Sequence, residues 1–490
     1  MNDNFSPALP DRAPTILDRS HHPISRRDID PDALKVLYRL HGHGFIAYLV
    51  GGAVRDLMLG RRPADFDVGT DAHPNQIKRL FRNAFLIGRR FRLAHIRFQG
   101  GKIIEVSTFR RRPDEEELEA ERAEERAEAE AERAREEGAE PEAGGSAAGE
   151  TAKAGAVDET SEEAPEGTSG AAAGEAQRGS RHRRSPIPIP GRPPLKPIAF
   201  GTAQEDAFRR DITINALFYD IATYSVIDYV EGLEDLRHGL IRIIGDPEES
   251  YIEDPVRIWR VIRHASRLNF SIEEGTMRAI APRLPLMAAS SGSRLFEELN
   301  KDLKSGAARP FFELARRHSL LPVILGRIGG LYERSDEMFG RLAEYLSAVD
   351  AVYGRGGAPG PQIVYSLLLW PWAKTALADA QGDKPKILYQ AFREAKPAVL
   401  IPKGVLLEAV QTLVIVEHMI ESLATGRMRW SLKKRAHYAG ASKICALLVQ
   451  GSFGQEDDPF ERIYGARFGA WRPPEKRRRR RRRPHAGRPY

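Results

Sequence analysis

The sequence is 490 residues long, with 41% hydrophobic residues and a net charge of +7. That is enough chain for several folded domains and too apolar a mix for a wholly disordered protein. A single cysteine, Cys445, excludes an internal disulfide framework and a cysteine-rich zinc site, and it reads as a core thiol in a reducing compartment. No stretch approaches the roughly 20 apolar residues of a membrane span, and the N-terminus lacks a signal peptide's apolar run, so no membrane association and a cytoplasmic location are expected.

After a polar leader over 1–25, Asp30-Pro31 opens an amphipathic helix through Ala33, Leu34, Val36, Leu37 and Leu40, with Gly42 and Gly44 as stops. Phe45 to Val50 reads as a buried strand, Gly51-Gly52 as its turn, Val54 to Leu59 as a short helix, and Asp65 to Val68 as a second strand. Pro74 starts another helix, and strands are predicted at 85–87, 93–98 and 103–109. These elements make a small mixed α/β domain.

From about Pro113 the chain becomes a charged Glu/Ala/Arg stretch and then a Gly/Ala/Glu/Ser stretch. Neither can bury enough apolar surface to fold, so 113–195 is expected to be a disordered acidic insertion. Order is expected to return near Phe200, after a proline-rich approach, and beyond about Tyr229 apolar residues recur at helical spacing as far as Ala470.

Chemistry concentrates in two places. Asp65 and Asp67 sit at i and i+2 on the second predicted strand, so both carboxylates project from one face. Like charges so placed repel, and a hard divalent cation that bridges carboxylates to substrate phosphates relieves them. Upstream, Gly51 and Gly52 allow close backbone approach, the following helix start offers N–H groups, and Arg55 adds positive charge, a combination suited to an anion.

Taken together, GGAVRD and DFD at this spacing resemble motif A of the class II nucleotidyltransferases, the group of tRNA CCA-adding enzymes and bacterial poly(A) polymerases. RRDITINAL at 209–217 resembles that family's second motif. The resemblance implies that Arg209 and Arg210 bind nucleotide phosphates, that Asn215 serves the sugar, and that Asp211 joins Asp65 and Asp67 as an active-site acid. Glu105, on the 103–109 strand, is a competing third carboxylate, and the sequence leaves that choice open. DYVEGLEDL at 228–236 resembles the flexible third motif between head and neck. EDPVR at 253–257 resembles the fourth, which implies that Asp254 and Arg257, one helical turn apart, face the incoming base in place of a template.

LIGRRFRLAH at 86–95, IIEVSTFR at 103–110 and HPISRRDIDPDALKVLYRL at 22–40 resemble bacterial poly(A) polymerases rather than CCA-adding enzymes. His95 reads as a structural strand residue. The resemblance implies AMP transfer from ATP to RNA 3′ ends with two Mg²⁺ ions, and a possible link to RNA-decay machinery. Addition of CCA or C to tRNA, and non-catalytic RNA binding, are the alternatives. The expected architecture is a polymerase-beta-like α/β nucleotidyltransferase head with a small mixed sheet (26–112 plus 196–230), an all-α neck (231–300) and an all-α RNA-binding body (301–470). A basic disordered tail (471–490) follows, whose run Arg477, Arg478, Arg479, Arg480, Arg481, Arg482 and Arg483 reads as a nonspecific RNA phosphate-binding segment. The acidic insertion stands where the family has a shorter loop, and it reads either as a tolerated loop or as an autoinhibitory competitor for that tail.

Overall fold

The structure is a computed structural model that describes residues 13–87, 93–111 and 200–469, apart from 379, 429 and 455. The acidic insertion, the arginine run and the GRRFR part of the 86–95 segment lie outside the described residues.

The head is an eight-stranded sheet in the order β1-β8-β7-β2-β3-β6-β5-β4. Its strands are β1 (Thr15–Leu17), β2 (Ala47–Val50), β3 (Asp67–Thr70), β4 (Ala84–Ile87), β5 (Leu93–Arg97), β6 (Ile103–Thr108), β7 (Leu217–Asp220) and β8 (Ser225–Asp228). Only β3 and β6 pair in parallel; the other neighbours are antiparallel. The leader contributes an element that its polar composition did not suggest: β1 pairs along β8, with Thr15 opposite Asp228 and Leu17 opposite Val226. Its side chains carry little apolar signal because an edge strand is held chiefly by backbone hydrogen bonds.

One face of the sheet is covered by α1 (Pro31–Gly42) and α3 (Pro74–Leu80). Asp30 caps α1 by accepting from the N–H groups of Asp32 (2.8 Å) and Ala33 (3.3 Å), and Pro31 supplies the preset first-turn backbone. Ala33, Val36, Leu37 and Leu40 of α1 meet Leu49, Val68, Ile104 and Val106 in the main core. The other face carries a smaller apolar cluster of Val50, Phe109, Ala207 and Phe218, and beside it the polar residues of the site. Between the two faces runs α2 (Gly52–Met58), and α4 (Ala203–Phe208) reopens the chain after the insertion.

Beyond the sheet come α5 (Gly232–His238), α6 (Pro247–Glu253) and α7 (Val256–Leu268), with β9 (Leu240–Ile241) pairing in parallel with β10 (Ser271–Ile272). Then follow α8 (Glu274–Arg278), α9 (Ile280–Met287) and α10 (Gly292–Leu303). From Ala308–Arg317 to Pro459–Phe468 the chain is helical, and its core is built largely on Pro361–Leu377 against Lys403–Thr425. The fold is thus a mixed α/β head followed by a helical remainder, as the sequence predicts. Cys445 is fully buried, and burial pushes its thiol up to about 12. Among the described residues no helix is long and apolar enough to cross a membrane.

Candidate active site

The site lies on the face of the sheet opposite α1, at the C-terminal end of β2 and the start of β3. β2 ends at Val50, paired with Asp67, and the chain turns at Gly51 with φ +71°. A side chain there would be strained, and a Cβ would lie 3.3 Å from the Arg210 guanidinium. Because β2 has turned away, no strand residue remains opposite Asp65, which lies in the approach to β3 instead of on it. The i, i+2 strand geometry expected for the two aspartates therefore applies to Asp67 alone.

Successive strand residues point to opposite faces, so Asp67 and Glu105 share the face turned away from the buried pair Val68 and Val106. Burial, then Glu105, then Asp65 push the Asp67 carboxyl up to about 6, against the Arg210 charge that lowers it. His95, directly opposite Glu105 across β5 and β6, holds its Nε2 3.3 Å from the Glu105 carboxylate. Of the two third acids that the sequence leaves open, Glu105 is the one beside Asp67. Asp211 faces the neck: its Oδ2 accepts from Arg260 Nη1 at 3.0 Å and its Oδ1 from the Ile212 N–H at 2.9 Å. Burial alone would raise its pKa, but Arg260, His264 and that N–H hold it below the ordinary carboxylate value.

Among the described residues no three His, Cys, Asp or Glu side chains close into a metal-binding group. The crowded carboxylates of Asp67, Asp65 and Glu105 nevertheless form an oxygen-only donor set with positions open, which suits a hard cation whose remaining ligands are substrate oxygens.

The arginines divide by role. Arg209 and Arg210 are both held by Asp206 of α4: Arg209 Nη1 donates at 3.2 Å, Arg210 Nε and Nη2 at 3.0 and 2.9 Å. Arg210 also donates to the Asn215 carbonyl at 3.2 Å and lies over the Phe218 ring, 5.3 Å from its centroid. Asp206 is 4% exposed, and its i+3 and i+4 spacing to the arginines was the signal that could have marked it in the sequence. Arg55, expected to meet phosphate, is 9% exposed and occupied internally. It donates to Asp56 (2.7 and 2.8 Å) and to Asn215 Oδ1 (2.6 Å), and it reaches His264 Nδ1 at 3.3 Å. Asn215 is correspondingly tied to Arg55, with its amide nitrogen 3.2 Å from His264 Nε2. Burial and the Arg55 charge lower the His264 pKa to about 3, so the ring is neutral and braces α2 and the 213–215 turn against α7. Arg260 and His264 escaped the sequence reading because they lie on α7, about fifty residues from the loop they support.

The third motif is tightly bonded rather than loose. Asp228 accepts from the N–H groups of Val230, Gly232 and Leu233 at 2.9–3.1 Å, and Asp235 accepts from the Thr213 hydroxyl at 2.7 Å and from Arg242 Nε. A Cβ at Gly232 would stand 2.3 Å from the Thr213 carbonyl oxygen. Gly232→Ala should therefore displace the 211–215 turn, destabilise the head by about 2 to 3 kcal/mol and raise the KM for nucleotide. Urea unfolding together with steady-state kinetics checks this; an Ala variant with wild-type stability and KM would show that the contact is dispensable.

Asp254 and Arg257 do not share one helix. Pro255 disfavours helical backbone at the residue before it, so Asp254 is extended (φ −140°, ψ 92°) between α6 and α7. The two remain adjacent because the Arg257 N–H donates to the Asp254 carbonyl at 3.0 Å. The Arg257 side chain donates to Ser250 Oγ (2.6 Å) and lies 3.5 Å from Glu253. Asp254 Oδ1 accepts from the Val256 N–H at 3.1 Å, and Oδ2 from Arg294 of α10 at 2.6 Å.

A mixed sheet with crowded carboxylates on one face, arginines aimed across them and a helical neck closing the far side defines a nucleotidyltransferase. Residues 47–242 match the family described as the poly A polymerase head domain, and residues 269–328 match the probable RNA and SrmB-binding site of polymerase A. The chain belongs to the bacterial poly(A) polymerase family. It is 33% identical over 479 residues to poly(A) polymerase I of Salmonella typhimurium, covering 94% of this chain and 87% of that one. It is 30% identical over 302 residues to a CCA-adding enzyme of Bacillus licheniformis, covering 62% and 57%. In fold it is similar to the CCA-adding enzyme of Bacillus stearothermophilus solved with CTP, at a TM-score of 0.56 and 20% identity over 90% of this chain and 83% of that one.

Proposed function

We propose that this chain is a template-independent poly(A) polymerase that joins AMP from ATP to RNA 3′ ends and releases pyrophosphate. The observation that carries this reading over CCA or C addition is extent: the likeness to a poly(A) polymerase runs through head, neck and body, whereas the likeness to the CCA-adding enzyme stops at 62% of the chain. Asp65, Asp67 and Glu105 would hold divalent cations, Mg²⁺ by the chemistry of the donor set, and two such ions supply charge neutralisation at the attacking and leaving oxygens.

The protein's own part is placement. Arg209 and Arg210, oriented by Asp206, draw the triphosphate along the carboxylate face, with the turn at Gly51 and Gly52 leaving room for close approach. Asp211 and Asn215 face the sugar, held there by Arg260, Arg55 and His264. Asp254 and Arg257 read the base, an acid accepting from an exocyclic amine while the guanidinium donates to a ring nitrogen. The arginines at 477–483 add nonspecific, salt-sensitive attraction for RNA, and the products are suited to marking RNA for decay.

The test offers purified protein and Mg²⁺ with each labelled nucleoside triphosphate, on oligo(A) and on tRNA lacking its CCA end. Long A-tails on oligo(A) are expected. Limited C or CCA addition on tRNA would assign the protein to the other branch, and no incorporation would leave only RNA binding.

A further inference from the structure

We propose that Arg294 is a positioning residue for base selection, holding the Asp254 carboxylate at one fixed point from a helix anchored to the body. The inference rests on the reading that Asp254 and Arg257 face the incoming base.

Each Asp254 oxygen has a donor of its own: the Val256 N–H on Oδ1 at 3.1 Å, and Arg294 Nη2 on Oδ2 at 2.6 Å across 40 residues of chain. A carboxylate so held cannot turn without breaking a charge-assisted bond, so its remaining lone pairs keep one direction. That matters because an acid alone separates bases poorly. It rejects the carbonyl of guanine or uracil, but cytosine carries an exocyclic amine just as adenine does. A mobile carboxylate could follow either amine, whereas a fixed one serves the ring whose amine arrives at that point.

The anchorage of α10 supports this role. At its start, the Gly292 carbonyl accepts from the Leu400 N–H at 3.0 Å, and a Cβ on Gly292 would lie 2.7 Å from Leu400 Cβ. Toward its other end, Glu298 and Asp302 bind Arg263 of α7, and Asp302 accepts from Trp259 Nε1 at 2.6 Å. Since α7 also carries Arg257, the two base-facing groups are set by one frame: Arg257 directly and Asp254 through Arg294.

The test measures kcat/KM for ATP, CTP, GTP and UTP separately on oligo(A), with wild type, Arg294→Ala and Arg294→Lys. Arg294→Ala should lower the ATP-to-CTP ratio by about tenfold or more, the selectivity a charge-assisted bond commands. Arg294→Lys should restore part of it, and in an Asp254→Asn background Arg294→Ala should change the ratio no further. An unaltered ratio in Arg294→Ala overturns the proposal. So does an equal loss with all nucleotides, or weaker RNA binding with the ratio intact, either of which would assign Arg294 to folding or to RNA contact. The functional reading is judged on the wild type alone: if that protein fails to extend oligo(A) with ATP, both fall together, whereas normal A-tailing with an indifferent Arg294 overturns only the positioning role.

Discussion

Asp67→Asn should lower A-tail extension by at least about a thousandfold, the rate equivalent of losing several kcal/mol of charge stabilisation at the reacting phosphate. The same change should make the cation-free protein more stable. Burial, Glu105 and Asp65 raise the folded pKa of Asp67 to about 6 from an ordinary 3.8. A carboxyl whose pKa is raised on folding favours the folded state below its unfolded pKa, and that advantage is lost as pH rises from about 4 through about 6. Above pH 6 the ionised, crowded carboxylate opposes folding, and asparagine removes that opposition, worth about 1 to 3 kcal/mol. Urea unfolding in chelator at pH 7.5 should therefore place the variant above wild type, with the gap closing at pH 4. Added Mg²⁺ should raise the Tm of wild type more than that of the variant. Full activity in Asp67→Asn, or a wild-type Tm indifferent to Mg²⁺, would remove Asp67 from cation binding.

Arg263→Met should be the most destabilising single change in the neck, at about 3 to 5 kcal/mol, because it leaves buried acids without their cation. Arg263 donates to Asp302 through Nε (2.8 Å) and Nη2 (2.9 Å), and it also pairs with Glu298; Asp302 is fully buried and Glu298 is 4% exposed. Burial would raise the Glu298 pKa, but Arg263 and then Lys301 bring it down to about 2. The stability this pairing supplies is present above about pH 4.5 and is lost as pH falls toward 2, so the deficit of the variant should be largest at neutral pH and shrink in acid. Denaturant melts across that range check the sign. A deficit that stays constant with pH would mean that the Arg263 chain acts by packing alone. Since α7 and α10 carry Arg257 and Arg294, the variant should also lose preference for ATP at temperatures where it remains folded.

Several parts of the site were legible before any tertiary information. Gly51-Gly52, Asp67, Arg209-Arg210 and Asp254 stand at short, fixed spacings, where the peptide unit itself sets the distance between chemical groups. The supporting residues were not legible, since Asp206, Arg260, His264 and Arg294 look like ordinary helical charges and gain meaning only from what lies opposite them. Asp65 shows the limit from the other side. Its alternation with Asp67 suggested a shared strand, but a strand exists only where a neighbour offers hydrogen bonds, and β2 has already turned at Gly51. The leader erred in the opposite direction, since polar residues became β1 once β8 offered an edge.

The sequence by itself determined the class of chemistry, the order of a mixed α/β head before a helical neck and body, and the residues that meet phosphate and base, because all of these reside in local spacing and hydrophobic period. Only the tertiary structure decided that Glu105 stands beside Asp67 while Asp211 turns to Arg260, that Arg55 is an internal brace, and that the base-reading acid is held by a helix forty residues away. Those are pairings between distant segments. Their partners are chosen by which faces the packed helices and sheet bring together, which no local pattern encodes.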